Sequence, residues 1–487
     1  MKPWLTRHVA LSVATGLFLI LVWAYWPFSV DDAYISFTYA KNLVAGRGLT
    51  YNGVLVEGYS NFLWTLLSAP FIALGGEPLF WARLVSVVCA LLNLRLTEQL
   101  IHRLNPGIGT SETLLTLASL ATWAPFVMWT VGGLETALMS MLVTACVYLE
   151  LRAPPAAFSW SWATALAAAL TRPEGVLLFP LVLGFQTLVT RRFWRHIAVS
   201  GLLLGGLYGL FLLWRFAIYG EWVPNTAFLK LDPGLETATR GGAWLLEFFA
   251  LRPLLGVVVL LALFALWRDR RRLAPGWLLV VGGLAAFAFF VLYSGPDWMP
   301  QHRFLVPALP LLSVVLARAL YAFDWKAERW AKVVTQSLVI SSLVLELFFA
   351  ATGYIPFARH FGRFTEGLVE GGLWIRQNTA PTDVIAVVDA GALAYYSERR
   401  AVDILGLNDS HIARSPRKTD PDYVLAQQPR MIQMHIAPGA TAARFAPPAR
   451  DHLPELFYHP GFQCCYRLFR IAGSDQYDPW LFIRQDK

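Results

Sequence analysis

The sequence predicts a polytopic α-helical membrane protein that carries a small α/β domain after its last span. Of the 487 residues, 56% are hydrophobic and only 15% are charged, whereas soluble domains carry about 25% charged residues. Apolar runs of roughly 20 residues recur between positions 8 and 352, and this is the length that an α-helix needs to cross a bilayer. A membrane β-barrel would instead show alternating segments of roughly 10 residues.

The apolar runs define twelve candidate spans, and loop charges set their direction. The candidates are 8–26, 59–74, 79–101, 111–130, 134–151, 158–171, 175–190, 197–219, 243–267, 276–294, 303–322 and 333–352. The basic loops 191–195 and 268–272 are expected to face the cytoplasm. Their parity fits a cytoplasmic N-terminus only if one early candidate does not cross. The best one to drop is 59–74, which is short and followed by Gly75-Gly76 and is interpreted as a juxtamembrane or re-entrant helix on the outer face. About eleven spans remain, with the C-terminus outside the cell.

The composition changes after the last apolar run, and a second domain is expected there. Residues 383–389 resemble a buried strand, 391–396 a short helix, 401–405 a second strand and 423–425 a third strand. The prediction is therefore a transmembrane catalytic domain over 1–355, whose first outer loop is 27–78. An extracytoplasmic α/β domain follows over 356–487.

Net charge and cysteines exclude some classes of function. The formal charge of +8 resides in short loops, as cytoplasmic loops of membrane proteins require, so no nucleic-acid partner is expected. Cys464 and Cys465 are adjacent, and the geometry of a bridge between neighbours disfavours a disulfide there. The cysteines do not have zinc-site spacing.

The unusual polar residues all fall on the predicted outer side of the membrane. They are Asp31, Asp32, Glu57, Glu135, Arg172, Glu174, Asn225, Lys230, Asp297, His302 and Arg303. The predicted cytoplasmic loops hold only ordinary basic runs. Ionisable residues at span ends are costly unless they are hydrated, paired or functional. This asymmetry predicts an outward-facing active site.

Asp31 and Asp32, which follow the first span directly, admit two explanations. Aspartate is a favoured N-cap, so both residues can simply start the helix that follows. Alternatively, one is a general base and the other orients it or binds a cation. A neighbouring like charge raises a carboxylate's pKa, which suits proton abstraction.

The remaining motifs are also ambiguous when taken one at a time. Arg172 and Glu174 are either a structural salt bridge or an arginine that holds a phosphate with its positioning acid. Glu135, after two glycines, is also explained as a carboxylate favoured at a helix start. Lys230 is a phosphate contact or a solvated lysine. Asp297, His302 and Arg303 together resemble a phosphate clamp.

Several blocks of this sequence resemble the GT-C glycosyltransferases, most closely the mycobacterial cell-wall arabinofuranosyltransferases that add terminal arabinose. The longest block runs from Asp31-Asp32-Ala33-Tyr34 through Gly46-Arg47-Gly48 to Val56-Glu57-Gly58-Tyr59-Ser60-Asn61. Shorter blocks follow in the same order at 133–136, 171–175, 224–226, 297–300 with Arg303, 389–391 and 402–407.

The resemblance implies a GT-C fold and a transferase that takes its sugar from a polyprenyl-phosphate carrier. Arabinofuranose or a related pentose is the implied sugar, and a cell-envelope glycan or glycoprotein is the acceptor. The site would lie on the outer face of the bacterial cytoplasmic membrane. Asp31 is implied as the base, because the first acidic residue of this loop plays that part in similar enzymes.

Asp32 is expected to orient Asp31 or help to hold a divalent cation (Mg, Mn or Ca), and Arg172, Lys230 and Arg303 to balance the charge of the departing phosphate. The rival function is a flippase or transporter of lipid-linked sugars. It would require charges near the bilayer midplane and repeated halves, and the sequence contains no evident repeat.

Overall fold

The structure is a computed structural model, and it describes residues 3–153, 159–189, 194–322, 329–434, 453–469 and 481–485. Contacts between Cα atoms divide the chain into two compact units. The first, called the membrane unit, comprises Met1–Trp26, Arg83–Phe211 and Asp232–Ala358. The second, called the sheet unit, comprises Pro27–Ala82, Leu212–Leu231 and Arg359–Lys487.

This division differs from the sequence-based one at two stretches, because Leu212–Leu231 falls in the sheet unit, as does the loop 27–78. The loop 27–78 clusters with the C-terminal residues and not with the spans that flank it. The boundary at 355/356 between the transmembrane domain and the extracytoplasmic α/β domain stays a prediction. The basic positions Arg191 and Arg192, which supported the predicted topology, lie outside the described residues.

The helices of the described chain are mostly long and apolar up to residue 349. They are α1 (Pro3–Tyr25), α2 (Asp32–Val44), α3 (Phe62–Ala73), α4 (Pro78–Leu104), α5 (Thr110–Thr122), α6 (Ala124–Val131), α7 (Thr136–Arg152), α8 (Ser161–Thr171), α9 (Leu178–Leu188), α10 (Trp194–Tyr219), α11 (Asn225–Lys230), α12 (Leu235–Ala250), α13 (Pro253–Arg268), α14 (Trp277–Ser294), α15 (Leu309–Ala322), α16 (Arg329–Phe349) and α17 (Ile355–Asn378). A π-helical turn, Ala350–Tyr354, joins α16 to α17, and 3₁₀ turns cover Pro173–Leu177 and Arg303–Ala308.

Fewer helices can cross a membrane than the sequence predicts. By length and composition, six of the described helices qualify, or up to eight if the bent pairs α5–α6 and α12–α13 each count as one span. The predicted spans 158–171 and 175–190 fail because their helices are too short. The 11 residues of α8 extend only about 17 Å at 1.5 Å per residue, well under the roughly 30 Å of a hydrocarbon core. By length and composition, the described helices therefore account for six to eight spans, fewer than the predicted eleven or so.

Helix α3, which covers the region predicted not to cross, is also short and has Pro70 inside it. In the membrane unit, α1 packs on α5 and α6, α7 on α8, α12 on α14, and α13 on α15 and α16. Helix α15 is almost wholly buried, which makes it the centre of this unit.

The C-terminal part of the sheet unit is a mixed sheet with short helices. Its strands are β1 (Val384–Val387), β2 (Arg400–Asp403), β3 (Met431–Gln433), β4 (Tyr466–Phe469) and β5 (Leu481–Arg484), and its helices are α18 (Ala392–Ser397), α19 (Ser410–Arg414), α20 (Pro421–Ala426), α21 (Leu453–Phe457) and α22 (Pro460–Cys465). The described strands lie in the order β2-β1-β3-β5-β4. Strand β1 pairs in parallel with β2 and β3, with Ala386 opposite Val402 and Ile432, whereas β5 is antiparallel to both neighbours.

Two local expectations about this region are wrong. Residues 423–425 form helix α20 and not a strand, because Pro421 starts a helix without needing its N–H and the Asp420 side chain accepts the Tyr423 N–H. A disulfide joins Cys464 to Cys465, although their adjacency predicts the opposite. The predicted strands near 383–389 and 401–405 and the helix near 391–396 are confirmed as β1, β2 and α18.

Candidate active site

The carboxylate of Asp31 lies in the sheet unit and is held by the start of helix α18. Its Oδ2 accepts the Gly391 N–H at 2.8 Å, and its Oδ1 accepts the Ala392 N–H at 2.7 Å. Although Asp31 precedes α2, its side chain makes no capping hydrogen bond to that helix. The alternative that Asp31 simply caps the following helix is therefore wrong, because this carboxylate caps a helix 360 residues further along the chain.

Burial and nearby charge make the Asp31 carboxylate an unusual one. Asp31 is only 9% exposed, and burial raises the pKa of its carboxyl well above the usual range. The charges of Asp389 and Asp32 raise this pKa further, while the two backbone N–H groups of Gly391 and Ala392 oppose the shift. A carboxylate that binds protons more tightly than usual can act as a general base near neutral pH.

Gly391 lacks a side chain because Asp31 occupies the space. A Cβ atom at this position would lie 1.9 Å from the Asp31 carbonyl oxygen and 2.6 Å from Oδ2. We expect Gly391→Ala to displace Asp31 and to lower the Tm of the protein by several degrees, since such a contact forces the backbone apart. Gly353→Ala is the control, because nothing lies within 4 Å of a Cβ there. Equal melting temperatures for the two variants would contradict the contact.

Tyrosines fix the chain after α2 against the same part of the sheet unit. Tyr51 donates to the Ala390 carbonyl at 2.6 Å, and Tyr39 donates to the Asn408 side-chain oxygen at 3.0 Å while it accepts the Gly58 N–H at 2.9 Å. Both tyrosines are fully buried. The loop that carries Glu57 is therefore rigidly positioned.

Glu57 forms a buried ion pair with Arg215. The Arg215 Nη2 atom lies 3.0 Å from Oε1, and Nε lies 2.7 Å from Oε2. Burial nevertheless raises the pKa of the Glu57 carboxyl to about 7, because it outweighs the lowering effect of Arg215. Glu57 is thus an acid of the sheet unit that titrates near neutral pH.

The raised pKa of Glu57 predicts the direction in which the stability of the protein changes with pH. A folded-state pKa above the ordinary value contributes stability in acid, and this contribution is lost as the pH rises through the folded pKa. We expect the Tm of the wild type, relative to Glu57→Gln, to fall between about pH 5 and about pH 8. A Tm difference that is constant over this range would show that Glu57 does not titrate there.

Asn225 is buried and acts as a structural tie. Its side-chain N–H groups contact the carbonyls of Gly406 at 2.7 Å, Leu407 at 3.0 Å and Asp409 at 3.4 Å.

Asp403, at the end of β2, accepts the backbone N–H groups of Leu405, Gly406 and Asn408. Burial raises the pKa of the Asp403 carboxyl to about 6. Lys230 ends helix α11 and is exposed.

The membrane unit contains a second set of predicted site residues, centred on Arg172. Its guanidinium contacts Glu135 Oε1 at 2.5 Å and also pairs with Glu174. All three side chains are nearly or fully buried, with 11%, 2% and 3% of their area exposed. Two carboxylates against one guanidinium leave this triad with a net negative charge, which is not the charge of a bare phosphate clamp.

Arg303 shares an aromatic surface with Arg172. The Arg303 guanidinium holds Asp297 through two contacts, Nε to Oδ2 at 2.6 Å and Nη2 to Oδ1 at 3.3 Å. It also lies 5.4 Å from the rings of Phe304 and Trp129, while Arg172 lies 5.2 Å from the Phe304 ring. Stacking of this kind stabilises a buried guanidinium.

The side chain of His302 contacts different residues from those that its neighbour Arg303 contacts. Gln301 and His302 adopt positive φ angles of 56° and 49°, a conformation that is uncommon for residues other than glycine. The His302 ring packs 4.6 Å from Trp244 and 5.5 Å from Phe248. This irregular turn separates His302 from the Asp297–Arg303 pair, so the predicted clamp does not close as a unit.

Sequence reasoning missed two charged pairs. Arg215, the partner of Glu57, lies inside the apolar run 197–219. Arg252 and Glu346 lie in the runs 243–267 and 333–352 and pair at 3.1 Å. Glu346 also accepts the Ala124 N–H at the break between α5 and α6. A charged residue within an apolar span indicates function or pairing. This signal would have identified Arg215, Arg252 and Glu346.

The structure therefore places the eleven predicted residues in two clusters. Asp31, Asp32, Glu57, Asn225 and Lys230 belong to the sheet unit, and Glu135, Arg172, Glu174, Asp297, His302 and Arg303 to the membrane unit. Within the described ranges, no group of three or more His, Cys, Asp or Glu side chains is arranged to hold a metal ion.

Comparison with known proteins shows what this chain is similar to in sequence and in fold. A family described as a domain of unknown function (DUF8728) matches residues 352–477. The terminal β-(1→2)-arabinofuranosyltransferase of Mycobacterium tuberculosis is 27% identical over 388 residues, which cover 74% of this chain. The chain spans only 59% of that relative's length.

Two solved structures are similar over nearly the whole chain. ArnT from Cupriavidus metallidurans bound to undecaprenyl phosphate has a TM-score of 0.57 at 15% identity, over 99% of this chain and 98% of ArnT. The archaeal oligosaccharyltransferase AglB from Archaeoglobus fulgidus, in complex with an inhibitory peptide and a dolichol-phosphate, has a TM-score of 0.53 at 11% identity, over 97% and 80%.

The chain thus has the GT-C fold of membrane glycosyltransferases, and the predicted fold class is confirmed. Within that class, it has distant sequence homology to a terminal arabinofuranosyltransferase.

Proposed function

We propose that this protein is a glycosyltransferase that moves a sugar from a polyprenyl-phosphate donor to a cell-envelope glycan or glycoprotein. Arabinofuranose or a related pentose is the proposed sugar. The observation that carries the proposal is the buried Asp31 carboxylate, fixed by two backbone N–H groups in a chain with the GT-C fold. ArnT, which shares this fold, binds undecaprenyl phosphate.

Each proposed role follows from a local environment. Asp31 accepts the proton of the acceptor hydroxyl, because burial and like charges favour its protonated form. Asp32, half-buried at the start of α2, orients Asp31 or contributes to a divalent-cation site for Mg, Mn or Ca. Lys230 balances charge on the departing phosphate. Arg172, which already has two carboxylate partners, positions Glu135 and Glu174.

The bond between the sugar carbon and an oxygen of the lipid phosphate breaks. The transition state has oxocarbenium character at the sugar carbon. A lipid donor reaches such a site from the bilayer, and a polar acceptor reaches it from water. We propose the outer face of the bacterial cytoplasmic membrane as the location, with the residues of the C-terminal sheet also outside.

The location can be tested by cysteine labelling. Arg417 and Arg270 are both exposed, whereas Cys89 and Cys146 are buried and Cys464 and Cys465 are bridged. In intact spheroplasts, we expect a membrane-impermeant thiol reagent to label Arg417→Cys and not Arg270→Cys. The reverse pattern would refute the proposed orientation.

The donor can be tested with purified protein in lipid nanodiscs. We expect transfer of sugar from a polyprenyl-phosphate-linked pentose to an oligosaccharide acceptor, and no transfer from the soluble nucleotide sugar. This expectation rests on the fold shared with ArnT, which was solved bound to undecaprenyl phosphate. Efficient use of the nucleotide sugar alone would reject the proposed function.

The second candidate is a flippase or transporter of lipid-linked sugars, which the Arg252–Glu346 pair inside apolar runs favours. In proteoliposomes, a flippase would move the lipid-linked sugar between leaflets without forming a glycosidic product. The transferase would form the product and release polyprenyl phosphate.

A further inference from the structure

A groove in the C-terminal part of the sheet unit, formed by helix α19 and the loop that follows it, contains none of the residues assigned to the reaction. This α19 groove encloses about 580 Å³, which is within the roughly 300–1,000 Å³ of small-molecule sites. Its described lining is almost entirely polar and consists of Ser410, His411, Arg414, Ser415, Pro416 and Asp420. A groove with so many hydrogen-bonding side chains suits a ligand that is rich in polar groups.

The α19 groove contains a His–Asp pair that differs from a second pair in the same unit. The His411 Nε2 atom lies 2.8 Å from Asp420 Oδ2, while its Nδ1 atom has no hydrogen-bond partner within the described residues. In the second pair, His459 Nε2 lies 3.1 Å from Asp422 Oδ1, and His459 Nδ1 accepts the Gly461 N–H and so caps α22. Both ring nitrogens of His459 thus serve the fold, whereas His411 keeps one nitrogen for a ligand.

The His411 ring is held in place as a flat surface. It stacks on the Tyr423 ring with centroids 4.1 Å apart and 20° between the planes, and 52% of the His411 side chain is still exposed. The Tyr423 hydroxyl donates to Asp409 Oδ2 at 2.9 Å, and Asp409 Oδ1 accepts the N–H groups of His411 and Ile412. A ring that is supported on one face and open on the other can pack against the C–H groups of a sugar ring.

Arg414 adds hydrogen-bond donors to the α19 groove. Its guanidinium pairs with Glu221 and lies 5.3 Å from the Phe228 ring, so two residues of the segment Leu212–Leu231 hold it in position. The contact with Glu221 uses the Nη2 atom. Within the described residues, donors on Nε and Nη1 are left for a ligand, and 46% of the side chain is exposed.

Hydrogen bonds join the α19 groove to the loop that carries Glu57. The Asn225 N–H donates to the Glu57 carbonyl at 2.8 Å, and the Asn225 side chain contacts the Asp409 carbonyl at 3.4 Å. Asp409 directly precedes the first residue of the groove. A molecule in the groove is therefore bound by the same compact unit that carries Asp31.

We propose that the α19 groove binds the acceptor glycan, through sugar residues other than the one that reacts. This inference rests on the proposed function, because a glycan bound here is the acceptor that the transfer requires. Sugars present neighbouring hydroxyls that both donate and accept hydrogen bonds, and a face of C–H groups. Arg414 donates to these hydroxyls, the Asp420 carboxylate accepts from them, and the His411 ring packs on the C–H face. The domain of unknown function thereby selects the acceptor.

The first test measures binding without a donor. The full chain in nanodiscs is titrated with oligosaccharides released from the cell envelope, and retained glycan is quantified by mass spectrometry. We expect His411→Ala and Arg414→Gln each to raise the apparent Kd about tenfold, since each removes a hydrogen bond to the ligand. Both side chains are about half exposed, so both variants should fold. The control is His459→Ala, which breaks the second His–Asp pair and should leave the Kd unchanged.

The second test separates acceptor binding from chemistry. In the transfer assay, both groove variants should raise the KM for the acceptor about tenfold and leave kcat and the KM for the donor unchanged, because the lost contacts hold the acceptor equally in the ground state and the transition state.

The two tests distinguish failure of the inference from failure of the proposed function. A wild type that retains no envelope oligosaccharide, or groove variants whose Kd and acceptor KM stay within twofold of the wild type, would overturn the inference even where transfer is observed. Retention that the groove variants weaken, in a protein that transfers no sugar, would reject the proposed function and leave the α19 groove as a glycan-binding site.

Discussion

Asp31→Asn should lose roughly 10²- to 10⁴-fold in turnover, because it removes the proton acceptor while it preserves size. Asparagine also offers one carbonyl oxygen in place of two carboxylate oxygens, so one of the N–H groups of Gly391 and Ala392 loses its partner. An unsatisfied buried N–H costs about 1–3 kcal/mol. The variant should therefore be less stable as well, and turnover must be compared at temperatures where both proteins are fully folded.

The control for this comparison is Asp422→Asn, which changes an exposed aspartate of the same unit. If Asp31→Asn loses stability but keeps near-normal turnover, Asp31 is only the cap of α18. The role of base would then pass to Asp32 or Glu57. Loss of turnover at matched folding assigns the catalytic role to Asp31.

Arg172→Met should destabilise the membrane unit more than any loss of a single hydrogen bond. It leaves Glu135 and Glu174 buried without their counter-ion, and removal of one member of a buried ion pair typically costs about 3–5 kcal/mol. The exposed Arg152→Met is the matched control and should change stability by no more than about 0.5 kcal/mol. Thermal melting in detergent measures both.

A triple variant separates charge pairing from lost packing. Glu135→Gln, Arg172→Met and Glu174→Gln together remove all three charges, so most of the lost stability should return. If Arg172→Met melts like the wild type, the triad is not a stabilising element. The pairing seen in the membrane unit would then not explain why these residues occur together.

The sequence was sufficient for the fold class because composition and apolar run length are direct consequences of the bilayer. It was insufficient for the span count, since several apolar runs form short helices such as α8 and α9 that a hydropathy pattern does not distinguish from crossing ones. The apolar character of residues 423–425 predicts a strand, but Pro421 and the Asp420 cap determine a helix.

The candidate site was only partly predictable for a related reason. The position of the acidic pair after the first span identifies it, whereas its partners Gly391 and Ala392 are about 360 residues away, and no local pattern encodes that contact. Arg215, Arg252 and Glu346 were missed although each is a charge within an apolar run. From the sequence, Asp297, His302 and Arg303 were expected to form one clamp. The positive φ angle at His302, which turns the chain between these residues, could not be predicted from the sequence.

The role of Asp31 as the base in sugar transfer to an envelope acceptor is tested most directly in cells. Envelope glycans and glycoproteins are analysed by mass spectrometry in a deletion strain that expresses either the wild type or Asp31→Asn at equal level. We expect the deletion to remove a terminal pentose, the wild type to restore it, and Asp31→Asn to fail. Glycans that are unchanged by the deletion, or restored equally by both proteins, would contradict the claim.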